Sequence, residues 1–331
     1  MAEINFQNVL DYLLDSKKDI PQSHLGFYSD LDPKSLRLFL DVWNSVKPDR
    51  KLILLDSLLS HMDSDTLVSY EEIGKALLND ADANVRARAI GLLAESNDPK
   101  LVDPLINIFL NDAELAPRME AATLLGEFVL LGELEELPIA VQREIEDALI
   151  SVIRREDNPS LRRKALEALG YSSRDELPNI IETAYQRSDS AWTASALRAM
   201  GRSHDNAWND SVVSKLLDYD PKIRFAAAEA AGELGIQEAS PIMLQMLEDE
   251  EEDDDVTSAA IWSLSQIGGE DARVYILNLL ENTEDEDIVE FLEDALENLD
   301  FNEDLNKFDI LSLDEGDIEL DEIDEFDEEE K

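Results

Sequence analysis

Residues 218–235 read DYDPKIRFAAAEAAGELG, and the stretch is punctuated for a helix at both ends. Asp220 stands where a side-chain oxygen caps free amides, Pro221 where a helix begins without needing its own N–H, and Gly232 or Gly235 where it stops. Between them Ala227, Ala230 and Ala231 recur on one stripe, and side chains this small let neighbouring helices approach closely. A second segment, ASPIMLQML, opens at Ser240 and Pro241 and carries Leu244 and Leu247 one turn apart. The pattern predicts two antiparallel helices, and one such hairpin cannot bury its apolar face alone.

The same design recurs along the chain. DADANVRARAIGLLAE, DAELAPRMEAATLLGE, EDNPSLRRKALEALGY, SDSAWTASALRAMGRS and EDDDVTSAAIWSLSQIGG align with it, and TEDEDIVEFLEDALENL follows more loosely. The apolar residue at each helix start, Val85, Pro117, Leu161, Trp192, Ile223, Val256 and Ile288, recurs at spacings of 32, 44, 31, 31, 33 and 32 residues. The one long spacing holds LLGELEELPIAVQREIE, which predicts a lengthened connection around Pro138. A fixed period of this size means stacked hairpins sharing a continuous core. Nowhere does a strand-like alternation appear, so almost no sheet is expected.

The pattern D-x-x-V-R-x-x-A-x-x-x-L, then Gly, then a Pro-containing second helix, resembles HEAT repeats, in particular the short type named after phycobilisome lyases. The resemblance covers residues 48 to 299, with KPDRKLILLDSLLSHMDSDTLVSYEEIGKALL as a looser first unit in which Arg50 is near the expected place. It implies an all-α fold, a right-handed α-solenoid of stacked antiparallel helix pairs of the HEAT or armadillo-like type. It also implies a ladder between adjacent repeats, with Asp82, Asp189, Asp220 and Asp285 as acids, Glu114 and Asn158 as variants, and Arg86, Arg118, Arg162 and Arg224 as bases. Thr193, Thr257 and Val289 interrupt it. Residues 1–47 read as an N-terminal helical cap, with Asp-Pro opening a helix that pairs Phe39 with Trp43. Residues 300–331 hold 16 acids and two lysines among scattered apolar residues, the composition of a mostly disordered acidic tail.

Charge is distributed unevenly within a net −49. Residues 1–224 carry 39 acids and 25 bases, while residues 225–331 carry 38 acids and three bases, Arg273, Lys307 and Lys331. Eight consecutive acids, Glu248 to Asp255, mark a connection between repeats, and Glu250, Glu251, Glu252, Asp253 and Asp254 form the candidate acidic patch. Such a field repels nucleic acid and anionic lipid and attracts proteins with a basic surface. Simple solubility, or adaptation to high salt, accounts for the same composition, and both readings stand at this point.

No residue set reads as an active site, and none requires a cofactor or a metal. Cysteine is absent, which excludes disulfides, thiolate metal sites and cysteine nucleophiles. His24, His61 and His204 lie far apart and suit packed or surface roles. Deoxyhypusine hydroxylase, a HEAT-like enzyme, binds iron through paired His-Glu motifs, and this chain has no His-Glu dipeptide. The start, MAEINFQNVLDYLLDSKK, lacks a basic region and a small-residue cleavage site, and the longest apolar runs are too short to span a bilayer. A cytoplasmic protein that touches neither nucleic acid nor membrane is the expectation.

Two functions follow. The first is a non-catalytic scaffold that binds another protein along the second helices, where Asp103, Asn107, Glu182, Tyr185, Met243, Gln245, Met246 and Asn278 are candidate contacts, the two methionines suiting core packing at least as well. The alternative, implied by the family name, is a bilin lyase or chromophore-binding chaperone. That activity needs an aromatic pocket with cationic groups, against an aromatic content of 6% and bases that nearly vanish after Arg224.

Overall fold

The computed structural model describes residues 5–15, 17–156, 158–249 and 251–314, with side chains as far as residue 305. Glu250 of the acidic patch and residues 315–331 of the expected tail lie outside the described residues. Every regular element among the described residues is helical, and the fold is an all-α solenoid of stacked helix pairs. The chain divides into two compact units, Met1–Asp205 and Asn206–Lys331.

The first unit begins with α1 (Phe6–Leu14), a 3₁₀ segment (Gln22–Tyr28) and α2 (Pro33–Trp43). Asp32 caps α2 by accepting from the amides of Lys34 and Ser35, the role its position before Pro33 predicts. Edge-on aromatic contacts run from Phe6 to Tyr28 at 5.9 Å and from Tyr28 to Phe39 at 6.0 Å. This cluster merges with Leu54, Ile73, Val85 and Ala89 of the following helices, so the N-terminal helices share one core with the repeats behind them.

The repeats of this unit pair α3 (Pro48–Ser64) with α4 (Glu71–Leu77), α5 (Ala83–Gly91) with α6 (Val102–Asn111), α7 (Leu115–Glu133) with α8 (Ile139–Arg155), and α9 (Pro159–Leu169) with α10 (Leu177–Tyr185). The unit closes with α11 (Ser190–Arg202). First helices pack in sequence, α3 on α5, α5 on α7, α7 on α9 and α9 on α11, while each second helix leans on the first helix of the next repeat. The dozen extra residues around Pro138 do not lengthen a connection. They extend the helices themselves, so that α7 has 19 residues and α8 has 17, joined by a turn in which Glu135 takes φ +61°.

The second unit holds α12 (Asn209–Val213), α13 (Pro221–Glu233), α14 (Ser240–Met246), α15 (Asp254–Ile267), α16 (Glu270–Asn282) and α17 (Glu286–Asp314). Ala226, Ala227, Ala228, Ala230 and Ala231 of α13 are all fully buried. Gly232 lies inside the helix against α15, and Gly235, with φ +62°, follows the last turn. The left-handed conformation at Gly235 is the one a glycine adopts without steric cost. The boundary expected at residue 300 falls inside α17. Leu292, Ala295 and Leu299 are buried along one stripe, and Arg273 reaches Asp300 at 2.6 Å and Glu303 at 2.9 Å, which ties the helix to α16 beyond that point.

The closest helix approach in this unit tests the stacking directly. A Cβ added at Gly232 would lie 2.9 Å from the backbone Cα of Ser263, a contact that only helix displacement relieves. Gly232→Ala should therefore destabilise the second unit by about 1–3 kcal/mol despite the better helix propensity of alanine. Chemical denaturation checks this, and an unchanged or raised midpoint would show that α13 and α15 are less tightly seated.

Candidate functional site

Four helix starts carry an arginine four residues after the capping position, and three of the four close the same bridge. Arg86 donates from Nε and Nη2 to Asp112 at 2.8 and 2.7 Å, and from Nη1 to the carbonyl of Asp80 at 2.8 Å. Arg118 donates from Nε to the carbonyl of Phe109 at 2.8 Å and from Nη2 to Glu156 at 2.6 Å. Arg224 grips both carboxylate oxygens of Glu252 and donates to the carbonyl of Asp218 at 2.8 Å. A guanidinium suits the position because its planar fork satisfies a carboxylate and spare main-chain carbonyls together. The fourth, Arg162, bonds the carbonyl of Ile153 at 2.8 Å.

The acid in these bridges is not the residue the sequence nominates. Asp82 and Asp220 cap their own helices, accepting from the amides of Asn84 and Lys222. Asp189 and Asn158 do the same for α11 and α9, and Asp285 accepts from the amides of Asp287 and Ile288 at the start of α17. The bridging acids Asp112, Glu156 and Glu252 stand one or two residues earlier. Each bridging acid also accepts from a backbone amide of its own connection, Asp112 from Glu114, Glu156 from Asn158 and Glu252 from Asp253, so the bridge and the cap fall on different residues where the pattern suggested one. The hydrogen bond from Arg86 holds Asp112 below the ordinary carboxyl value of 3.8. Arg50 makes only the main-chain part of this arrangement and is not a rung of the ladder: buried, it donates to the carbonyls of Leu13 and Tyr12 at 2.8 and 2.7 Å. Helix α1 thereby stands before α3 as a second helix stands before each later repeat.

The acidic connection resolves into three kinds of carboxylate. Glu252 is the bridge to Arg224, with its side chain 8% exposed. Asp253 caps α15 by accepting from the amide of Asp255 at 3.1 Å. Glu251, Asp254 and Asp255 are exposed and serve neither purpose. Two members of the predicted patch are thus structural, and Asp255 joins the exposed set.

The model of HEAT repeats matches residues 70–143 and 209–297. Both segments are similar to HEAT repeats. Comparison with curated proteins returns no match. Among solved structures, the Escherichia coli protein YibA is similar at 15% identity and TM-score 0.40, over 73% of this chain and 96% of that one. Human deoxyhypusine hydroxylase in complex with glycerol is similar at 16% identity and TM-score 0.34, over 79% and 95%. Kap95p, in a structure with RanGDP, is similar at 12% identity and TM-score 0.40, over 89% and 45%. Likenesses at these values carry no functional weight.

Within the helical hairpins the second-helix candidates divide. Asp103 and Asn107 are exposed on α6, as are Gln245 on α14 and Asn278 on α16, while Glu182 and Tyr185 of α10 are half-buried. Met243 and Met246 are 0% and 4% exposed and belong to the core. A 3₁₀ turn (Gln237–Ala239) leads into the seven-residue α14 and sets its phase, so the methionines face inward and Leu244 and Leu247 are only half-buried. The long α7–α8 hairpin adds a polar cleft of about 300 Å³, lined by Gln142, Arg143, Glu146, Ser173, Arg174 and Glu176 among others. Burial raises the carboxyl pKa of Glu146 there, opposed by the hydrogen bond from Ser172. Arg174 is already held by Asp147 at 2.5 Å and Glu176 at 3.1 Å. Among the described residues no group of three or more side chains is placed to hold a metal ion, and no helix is long and apolar enough to cross a membrane.

Two measurements probe the bridges. Arg118→Lys keeps the charge but cannot serve Phe109 and Glu156 together, and a loss of about 1–2 kcal/mol in denaturation is expected; no loss would reduce the bridge to a charge effect. Asp112, with its pKa lowered on folding, adds stability that is present above its unfolded value and lost as pH falls through the folded one. Asp112→Asn should thus be less stable near neutrality, with the gap to the parent closing as pH falls below the ordinary carboxyl value. A gap independent of pH would remove the ion pair from the account.

Proposed function

We propose that this chain is a non-catalytic protein-interaction scaffold whose second unit meets a partner with a basic surface. One observation carries the reading. Residues 225–331 bear 38 acids against three bases, and after the cap at Asp253 and the bridge at Glu252 are satisfied, exposed carboxylates remain at Glu251, Asp254 and Asp255. Acids beyond what capping and bridging consume form a field that speeds encounter with a cationic protein surface. HEAT solenoids supply long faces of exposed second-helix residues for such contacts, and here Asp103, Asn107, Glu182, Tyr185, Gln245 and Asn278 are the positions offered. Fold alone does not assign function; the surplus charge supports the partner's sign.

The structure sharpens which acids to change. Glu251→Ser, Asp254→Asn and Asp255→Asn together should leave the melting temperature close to the parent value, because none of these side chains bridges or caps. Retention of basic proteins from lysate at low salt should fall several-fold. Retention equal to the parent, or none by either protein at low salt, would leave the charge with a solubilising role alone.

A further inference from the structure

The arginine ladder has one rung without its acid. Arg86 and Arg118 hold Asp112 and Glu156, each two residues before the next capping position. The same register sets Arg162 against residue 187, two before the cap Asp189, and the chain places Arg187 there. Arg162 keeps its bond to the Ile153 carbonyl, but among the described residues neither Arg162 nor Arg187 has a carboxylate partner. The guanidinium carbons of Arg187, Arg162 and Arg163 instead lie 4.0, 5.3 and 5.9 Å from the ring centre of Trp192. Beside them opens a cleft of about 260 Å³, lined by Arg154, Leu166, Asn179, Ile180 and Thr183 as well as Arg162, Arg187 and Trp192.

Like charges gathered without a carboxylate partner among the described residues repel, and attraction to the buried tryptophan ring offsets only part of that cost. The surrounding stretch is the exception in an acidic chain: residues 143–202 hold ten bases and ten acids. We propose that this cleft is a binding site for an acidic peptide segment of a partner protein. One carboxylate of that segment takes the place that Asp112 and Glu156 take in the preceding rungs. The class of ligand follows from the ladder itself, since the equivalent arginines each close on a carboxylate. The apolar wall of Leu166, Ile180 and Trp192 favours a peptide, whose neighbouring side chains it can cover, over a bare anion. The site is separate from the anionic surface of the second unit and opposite to it in sign, and it stands whether or not a basic partner exists.

Substitution of Arg187 can supply the missing acid. In fluorescence anisotropy with the full chain and a fluorescein-labelled oligoglutamate peptide containing a central phenylalanine, saturable binding at low salt is expected. Arg187→Asp should close on Arg162, hold or raise the melting temperature, and weaken the peptide by at least about tenfold. Arg187→Gln, which only removes charge, should weaken it by a smaller factor, and Arg88→Gln on α5 should leave it unchanged. The Glu251, Asp254 and Asp255 variant should bind the peptide like the parent, which separates this site from the scaffold reading. Absence of binding by the parent, equal binding by a folded Arg187→Asp chain, or displacement of the peptide by inorganic phosphate as readily as by unlabelled peptide would overturn the proposal.

Discussion

One guanidinium, four residues into the first helix of a repeat, ties three separate pieces of chain. Its own helix carries it, a main-chain carbonyl just before that helix accepts from it, and the connection leading into the next repeat supplies a carboxylate. A helical hairpin lacks the area to be stable alone, so what must be specified is how one hairpin sits on the next. Apolar packing is non-directional and permits sliding. The forked hydrogen bonds are directional, and a bridge that must reach from one connection to the following one fixes the stacking register. Arg50 makes only the main-chain half of this arrangement, bonding the end of α1, which ties the N-terminal helices to α3 without a carboxylate.

The period, the capping residues and the helical class were legible in the sequence because each rests on local chemistry that recurs. Asp before Pro, small residues on one stripe and glycine at the end carry the same meaning in every repeat. The bridging acids were not legible. In NDAEL, REDNP and EEDDD several polar side chains stand close together, and only hydrogen-bonding geometry singles out Asp112, Glu156 and Glu252 as the acids that bridge. The order of the acids alone does not identify them, since Asp80 and Asp218, the earlier acids of two other connections, pair with Lys51 and Lys215.

Phase and length were the other losses. Helix α14 has seven residues, too few for a period to establish itself, and the preceding 3₁₀ turn rotated Met243 and Met246 into the core in place of Leu244 and Leu247. The insertion around Pro138 carried a proline and a glycine and so looked like a connection. Both residues instead mark ends of long helices, since proline is at home before the first turn and a glycine near the last turn admits the close approach of Gln142. Of the candidate contacts, Asp103, Asn107, Gln245 and Asn278 are exposed, Glu182 and Tyr185 are half-buried, and Met243 and Met246 are core.

Charge then separates the molecule's surfaces by what the ladder leaves over. In the second unit the bridges and caps use a few acids and leave many; at Arg162 and Arg187 no carboxylate among the described residues closes the rung, and arginines are left over. Both residues of excess arise from the same bookkeeping of hydrogen-bonding groups in the connections. The most direct test of that logic is a double-mutant cycle on the bridge between Arg86 and Asp112, using Arg86→Ala, Asp112→Ala and the double variant in equilibrium denaturation. The account predicts a coupling of roughly 1.5–3 kcal/mol, as for a well-formed charged hydrogen-bonded pair. Coupling within about 0.3–0.5 kcal/mol of zero, the range of independent sites, would contradict it and return the stacking to apolar packing alone.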